Sequence, residues 1–192
     1  MIKRLFDLLL ATFLLTITLP IFIIVSFILA LQGGSIIFRQ DRIGKDGKIF
    51  TCYKFRSMID GAETLLPLEV SDSQEWQQFQ KIKGDNRRTK LGKILRKTSI
   101  DELPQIFNVF KGDMSIVGPR PILPLQIEHY GDQFCYYTAV KPGITGPWQV
   151  SGRNKLTFAE RVKLECDYGK ENSLLQDIII LLKTPFAIFA GE

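Results

Sequence analysis

Histidine is almost missing from this chain of 192 residues; His129 is the only one. A lone imidazole cannot build a histidine-based metal cluster, and it reads as a plain surface or packing residue. Cysteine is scarce too. Cys52, Cys135 and Cys166 lie far apart with no CxxC pair, which argues against a disulfide framework or a zinc site and suits a reducing compartment. Neither GxxxxGK(S/T) nor GxGxxG occurs, so the common phosphate-cradling loops are absent. There are no internal repeats and no low-complexity tracts. No nucleic-acid motif or aromatic-basic platform is found, and no nucleic-acid partner is expected.

Charge is missing from one segment only. Between Leu8 and Phe38 there is no charged residue, whereas the rest of the chain is dense in Lys and Arg and carries most of the net +5. That pairing suggests an apolar anchor joined to a basic domain with anionic partners. As a helix, Leu8 to Leu31 would rise roughly 36 Å, enough to cross a bilayer. Ala30-Leu31-Gln32-Gly33-Gly34 is a poor cleavage site, so a removed signal peptide is not expected. Pro20, near the middle, takes out one helical hydrogen bond and predicts a kink, eased by Thr16 and Thr18. Lys3 and Arg4 precede the run; Arg39, Arg42, Lys45 and Lys48 follow it. A straight span would put one basic flank outside, against the positive-inside tendency. A helix bent at Pro20 that re-enters the same leaflet keeps both flanks inside. A kinked transmembrane helix is the alternative.

SIIFRQDRIG, KDGK and IFTCYKFRSM together predict a β-hairpin turning at Asp46-Gly47. Period-two alternation puts Phe50, Cys52, Lys54 and Arg56 on one face, with Lys54 and Arg56 as anion-binding candidates. A solvated basic edge would show the same pattern. Residues 60–84 read as weakly patterned helix with Trp76 and Phe79 packing. LGKILR, from Leu91 to Arg96, is a short basic helix with Leu91, Ile94 and Leu95 on one side, suited to a membrane surface or a core edge. In SIVGPRP two prolines stiffen the backbone around Arg120, whose guanidinium would suit a phosphate; a structural arginine is the plain alternative. KPGITGPWQVSGRN, Lys141 to Asn154, is a Gly/Pro-punctuated loop able to approach a ligand closely, and contains Gln149 and Arg153. After a helix near 157–170, the apolar stretch Asp177 to Ala190 is expected to pack or lie in an interface rather than span.

TSIDELPQIF sets Asp101 beside Glu102. A cap at Asp101 would place Pro104 at the third helical position, where no donor is needed. A helix start of that kind favours an ionised carboxylate, as a nucleophile or metal ligand requires. Adjacent carboxylates can divide labour, one attacking while the other holds Mg2+. A two-carboxylate glycosidase fits less well, since it needs a neutral acid facing the nucleophile across roughly 5–9 Å. A capped helix with no chemistry remains the plain reading.

Taken in order, the Pro-interrupted apolar start, QDRIG, YKFRSM, LRKTSIDELPQIFNVFKGDMSIVGPRP and KPGITGPWQVSGRN resemble the bacterial sugar transferases, monotopic polyprenol-phosphate phosphoglycosyl transferases. The resemblance covers essentially the whole chain. It implies transfer of a phosphosugar from a UDP-sugar to a polyprenol (undecaprenyl) phosphate with release of UMP. It implies Asp101 as covalent nucleophile and Glu102 as its Mg2+-associated neighbour, with Lys54, Arg96 and Arg120 at basic positions around the site and Arg153 in the nucleotide-side loop. Asp101 as a second metal ligand, and Arg56 and Gln149 on substrate or phosphate, complete the candidate set. It also implies a re-entrant helix at the cytoplasmic face of the bacterial inner membrane, among membrane lipids. Two departures stand out: Leu19 replaces the family's usual Ser before Pro20, and Gly169 and Glu171 are atypical.

The expected fold is therefore α+β, mainly helical. Residues 1–33 form a Pro-kinked re-entrant membrane helix. Residues 34–192 form a small cytosolic catalytic domain with a β-hairpin and interfacial amphipathic helices. The sugar, the pathway and any homo-oligomer are left open. A membrane-tethered basic binding module is the rival from another class.

Overall fold

The structure is a computed structural model that describes residues 2–59, 61–62 and 86–189. The helix expected over 60–84, with Trp76 and Phe79, lies outside the described residues apart from a turn at Gly61 and Ala62.

Helix α1 runs from Ile2 to Leu31, and its helical assignment continues through Pro20. Two hydroxyls near the proline donate to carbonyls one turn back: Thr16 to Thr12 at 2.9 Å and Thr18 to Leu14 at 2.7 Å. Composition makes this helix apolar all round, so burial rather than polarity distinguishes its faces. Asp7, Ala11, Val25 and Leu29 are buried at helical spacing, whereas Leu9, Phe13, Ile17, Ile24 and Phe27 are exposed. The buried stripe lies against the rest of the protein along nearly the whole helix. Lys3 pairs with Asp177 at 2.6 Å, and Arg4 donates to the carbonyls of Val109 and Phe110. Asp7 accepts from Ser115 Oγ at 2.8 Å and from the Ile116 amide at 3.0 Å. Toward the other end, the Phe22 ring meets Phe55 at 4.7 Å and Phe107 at 5.7 Å, and Arg56 donates to the Leu29 carbonyl.

Strands β1 (Ile37–Ile43) and β2 (Ile49–Phe55) form the expected antiparallel hairpin, with Ile43 opposite Ile49. The connection is a five-residue loop, 44–48, in which Asp46 and Gly47 both take positive φ. Only a residue tolerant of left-handed backbone suits such a turn, which is what the Asp-Gly pair supplies. Helix α2 (Lys90–Lys97) is capped by Thr89, whose side chain accepts from the Gly92 amide. Leu95 is buried, but Ile94 faces solvent, so the apolar side is narrower than the sequence pattern indicates.

Helix α3 (Gln105–Lys111) follows a 3-10 turn over Ile100–Glu102 and ends on Gly112. A parallel pair is made by β3 (Ser115–Val117) and β4 (Gly143–Thr145). The remaining α-helices among the described residues are α4 (Phe134–Thr138), α5 (Pro147–Val150), α6 (Phe158–Glu171) and α7 (Leu174–Phe189). The mainly helical fold with a two-stranded hairpin agrees with expectation. The α7 helix keeps an exposed apolar face, with Leu175, Leu182 and Phe186 outward, as a packing or interfacial segment requires.

Ala11 of α1 shares one core with Cys52, Ile106, Met114, Ile116 and Tyr168. Val25 and Leu29 share a second with Phe55 and Leu95. A third lies under α4 and α6, around Tyr130, Tyr137, Phe158 and Val162. The 3-10 turn that carries Asp101 and Glu102 sits between the ends of α2 and α3, close to the first two.

Candidate active site

Asp101 and Glu102 do not begin a regular helix. Both lie in the 3-10 turn, and α3 starts at Gln105 with Pro104 as its cap residue. The expectation of Asp101 as a helix cap is corrected on this point. Ser99 explains the difference: it adopts φ +58°, a left-handed conformation that breaks the chain from α2 and tightens the next turn. Non-glycine residues hold such a conformation only when their surroundings fix it. Here the Ser99 hydroxyl accepts from Arg153 Nη2 at 2.9 Å.

Glu102 is clamped. Its Oε1 takes Lys54 Nζ at 2.7 Å and Arg120 Nη2 at 2.9 Å, while Oε2 has only the longer contact to Arg120 Nη1 at 3.4 Å. Burial by itself would raise this carboxyl. Arg120 and Lys54, through charge and hydrogen bonds, outweigh it and hold Glu102 well below the usual carboxylate range. Asp101 is only 6% exposed and takes no hydrogen bond from the described residues. Its pKa is pushed up to about 6, first by burial and then by the Glu102 charge; Lys54, Arg96 and Arg120 pull the other way without prevailing. The helix-start argument for a fully ionised Asp101 thus fails, because the turn is too short to carry a helix dipole. Two neighbouring carboxyls are driven in opposite directions.

The expected basic residues divide. Lys54 and Arg120 reach Glu102 directly. Arg96 is close enough to act on Asp101 and is held by its Nε to Ser57 Oγ at 2.9 Å. Arg56 is turned instead to the end of α1, at the Leu29 carbonyl. Arg153, at φ +49°, bridges Ser99 and the Ala187 carbonyl of α7. Gln149 is buried, donating to the Ile144 carbonyl, and its Oε1 has no partner among the described residues. That open acceptor would take an N–H or O–H from a ligand.

Sequence reasoning missed what holds Arg120. Its amide donates to Glu165 Oε1 at 3.0 Å, and its carbonyl accepts from Tyr137 Oη at 3.2 Å and Arg161 Nη2 at 3.3 Å. Glu165 is fully buried, yet it is also met by Arg161 Nε and the Tyr130 hydroxyl. Two guanidinium groups lie over the Trp148 ring, Arg120 at 5.3 Å and Arg161 at 5.2 Å. The i, i+4 pair Arg161-Glu165 on a predicted helix was the available signal. It reads as a surface ion pair until burial is known. Nearby, the β3 and β4 loops approach so closely that a Cβ on Gly146 would stand 1.9 Å from the Gly118 carbonyl. Glycine at that point is what lets the Arg120 and Gln149 segments meet.

No group of three or more His, Cys, Asp or Glu that would enclose a metal occurs among the described residues. The donor set still fits a hard cation. Asp101 takes no hydrogen bond from the described residues and Glu102 Oε2 has only the 3.4 Å contact to Arg120, and Mg2+ is ordinarily satisfied by one or two carboxylates, waters and substrate phosphates.

Beneath the 3-10 turn lies a cleft of about 180 Å³, walled by α1, α3, β4 and α7. The site thus joins an ionised carboxylate held by two cations, a raised carboxyl beside it and an apolar helix at one wall. A sequence model of the bacterial sugar transferases matches residues 1–191, and the chain belongs to that family.

Curated relatives agree. The undecaprenyl-phosphate galactose phosphotransferase of Salmonella typhimurium is 46% identical over 187 residues, covering 95% of this chain and 39% of that protein. The exopolysaccharide production protein ExoY of Sinorhizobium fredii is 40% identical, over 95% of this chain and 83% of that protein. A UDP-N-acetylgalactosamine-undecaprenyl-phosphate N-acetylgalactosaminephosphotransferase of Aeromonas hydrophila is 38% identical, over 99% and 44% respectively. The chain spans about two fifths of the length of several of these relatives.

Proposed function

We propose that this protein transfers a phosphosugar from a UDP-sugar to a membrane polyprenol phosphate, giving polyprenol diphosphosugar and UMP. The observation that carries the proposal is the asymmetry of the carboxyl pair. Glu102 is held by Lys54 and Arg120, chiefly through Oε1, whereas Asp101 beside it takes no hydrogen bond from the described residues and is buried. A desolvated carboxylate is a better nucleophile than a hydrated one, and adjacent cations offset the charge of the phosphate it attacks.

In the first half-reaction an Asp101 carboxylate oxygen attacks the β-phosphorus. An Asp101 O–P bond forms, the bond from that phosphorus to the bridging oxygen breaks, and UMP leaves with the electron pair. In the second, a phosphate oxygen of the polyprenol phosphate attacks the same phosphorus, and the bond to Asp101 breaks. Arg120 and Lys54 hold Glu102 and stand ready for phosphate oxygens, with Arg96 on the Asp101 side. Mg2+, when bound by Asp101 and Glu102 Oε2, would offset phosphate charge. The relatives named for undecaprenyl-phosphate substrates support the acceptor class.

The packing of α1 supports attachment to one leaflet of the bacterial inner membrane from the cytoplasmic face. A spanning helix extends away from its domain, but here Lys3 and Leu29, near opposite ends, both touch the same domain. The outward face is apolar and would lie among lipid chains.

The test is a screen for UMP release across UDP-sugars with polyprenol phosphate and Mg2+. One UDP-sugar should release UMP, and the protein should carry a phosphosugar on Asp101 when acceptor is withheld. UMP release without any trapped adduct would favour direct transfer in a ternary complex. No release from any donor, with salt-sensitive binding to anionic lipid, would favour a binding module.

A further inference from the structure

The cleft beneath the carboxyl pair has a composition that the catalytic chemistry does not use. On one side it is walled by Leu14 and Thr18 of α1, on the other by Thr184, Ala187 and Ile188 of α7. Both helices turn other apolar side chains to the outside, Phe13 and Ile17 on α1, Leu182 and Phe186 on α7. A cleft between two such helices is reached from the apolar phase in which they lie. Its polar end is at the reaction centre, where Glu102 and Ser99 contribute to the lining. Arg153 stands at that end and ties the walls together, with one nitrogen on Ser99 Oγ at 2.9 Å and the other on the Ala187 carbonyl at 3.2 Å. The Thr145 and Thr184 hydroxyls, 2.8 Å apart, join β4 to α7 deeper in.

Size narrows the occupant. The cleft is about 180 Å³. Pockets that enclose a compact ligand of nucleotide size run to roughly 300–1,000 Å³. A narrow, mostly apolar slot with a guanidinium at one end suits a branched hydrocarbon chain that carries a terminal phosphate. Charge and apolarity are arranged in the order that such a molecule presents them.

We propose that this cleft seats the first isoprene units of the acceptor lipid, with Arg153 facing its phosphate. The assignment rests on the transferase reading above. It places donor and acceptor on different sides of the 3-10 turn: the UDP-sugar toward Lys54 and Arg120, the lipid below, between α1 and α7, in the cleft that Gln149 also lines. Each substrate then reaches Asp101 without displacing the other's anchor.

The test separates the half-reactions in the full chain held in lipid nanodiscs. Exchange of labelled UMP into UDP-sugar without acceptor reads the donor half; turnover against polyprenol phosphate concentration reads the acceptor half. Ala187→Phe and Thr184→Leu fill the cleft. Acceptor KM should rise about tenfold or more, with donor KM and the exchange rate changing less than about twofold. If donor KM rises and exchange falls while acceptor KM holds, the cleft belongs to the nucleotide sugar and the proposal is overturned. Unchanged constants throughout would overturn it too.

A second measurement needs no substitution. A polyprenyl phosphate with a diazirine on its first isoprene unit should label the 180–188 segment or the 14–18 segment. Unlabelled polyprenol phosphate should block that labelling, and UDP-sugar should not. Labelling confined to other segments would refute the site. Absence of both exchange and turnover in the unsubstituted protein would instead remove the transferase reading itself.

Discussion

Asp101 and Glu102 are neighbours, yet substitution at each should change stability in opposite directions. Asp101 is raised from 3.8 to about 6, so the folded protein holds its proton more tightly than the unfolded chain does. That contribution is fully present below pH 3.8 and is lost as pH rises through about 6. Asp101→Asn removes the buried charge. In chelator, the variant should be more stable than the parent at pH 7 by on the order of 2 kcal/mol, with the gain fading toward pH 4. Denaturant unfolding in micelles at the two pH values checks this. The same variant should lose roughly a thousandfold or more of UMP release. Glu102 is depressed, so its contribution is present above pH 4.5 and is lost as pH falls below that. Glu102→Gln leaves Lys54 and Arg120 facing each other without their shared anion and should cost about 1–3 kcal/mol at pH 7. Glu165 acts one step further out. If it serves Arg120, Glu165→Gln should lower turnover in the parent but add little in an Arg120→Lys background, whereas independent effects would multiply.

At the scale of elements, two contacts fix where the site's supports lie. Gly92 of α2 passes so close to β2's outgoing chain that a Cβ there would stand 1.8 Å from the Ser57 carbonyl. Gly92→Ala must move α2, and with it Arg96, whose guanidinium is bonded to Ser57. A loss of about 2–4 kcal/mol is expected, read as a lowered melting temperature. Helix α1 gives the other prediction. Single cysteines at Ile2 and Gln32, in a background lacking the three native cysteines, should both react with an impermeant thiol reagent from the same side of sealed vesicles. Labelling from opposite sides would show a span. Asp7 marks how firmly this helix is placed, since a carboxylate among apolar residues is held by Ser115 and the Ile116 amide.

For the whole molecule, the apolar outer face of α1 predicts that detergent, not high salt, releases the protein from membranes. Much of this was legible. The hairpin follows from β-branched flanks around Asp46-Gly47, and the basic helix read at 91–96 from its apolar spacing. The Lys54–Glu102–Arg120 cluster joins residues that the family resemblance named together. Local rules did not reach three features. The helix cap at Asp101 gave way to a 3-10 turn because Ser99 is held left-handed by Arg153, a contact 54 residues away. Arg56 shares a strand face with Lys54 but leaves it for the end of α1. Glu165 reads as half of a surface ion pair, and only its complete burial reveals the support beneath Arg120. In each case a distant partner decides what spacing along the chain leaves open.

Ala11 belongs to the same interior as Ile106, Met114 and Ile116, the residues that follow the carboxyl turn. In the proposed membrane attachment, hydrocarbon touches one side of a helix whose other side is the floor of the candidate site's core. Trimming residues 1–33 to obtain a water-soluble version should yield an unfolded product rather than a freed catalyst. The choice of detergent becomes a variable in enzymology: chain lengths that wet α1 poorly should depress turnover and melting temperature together.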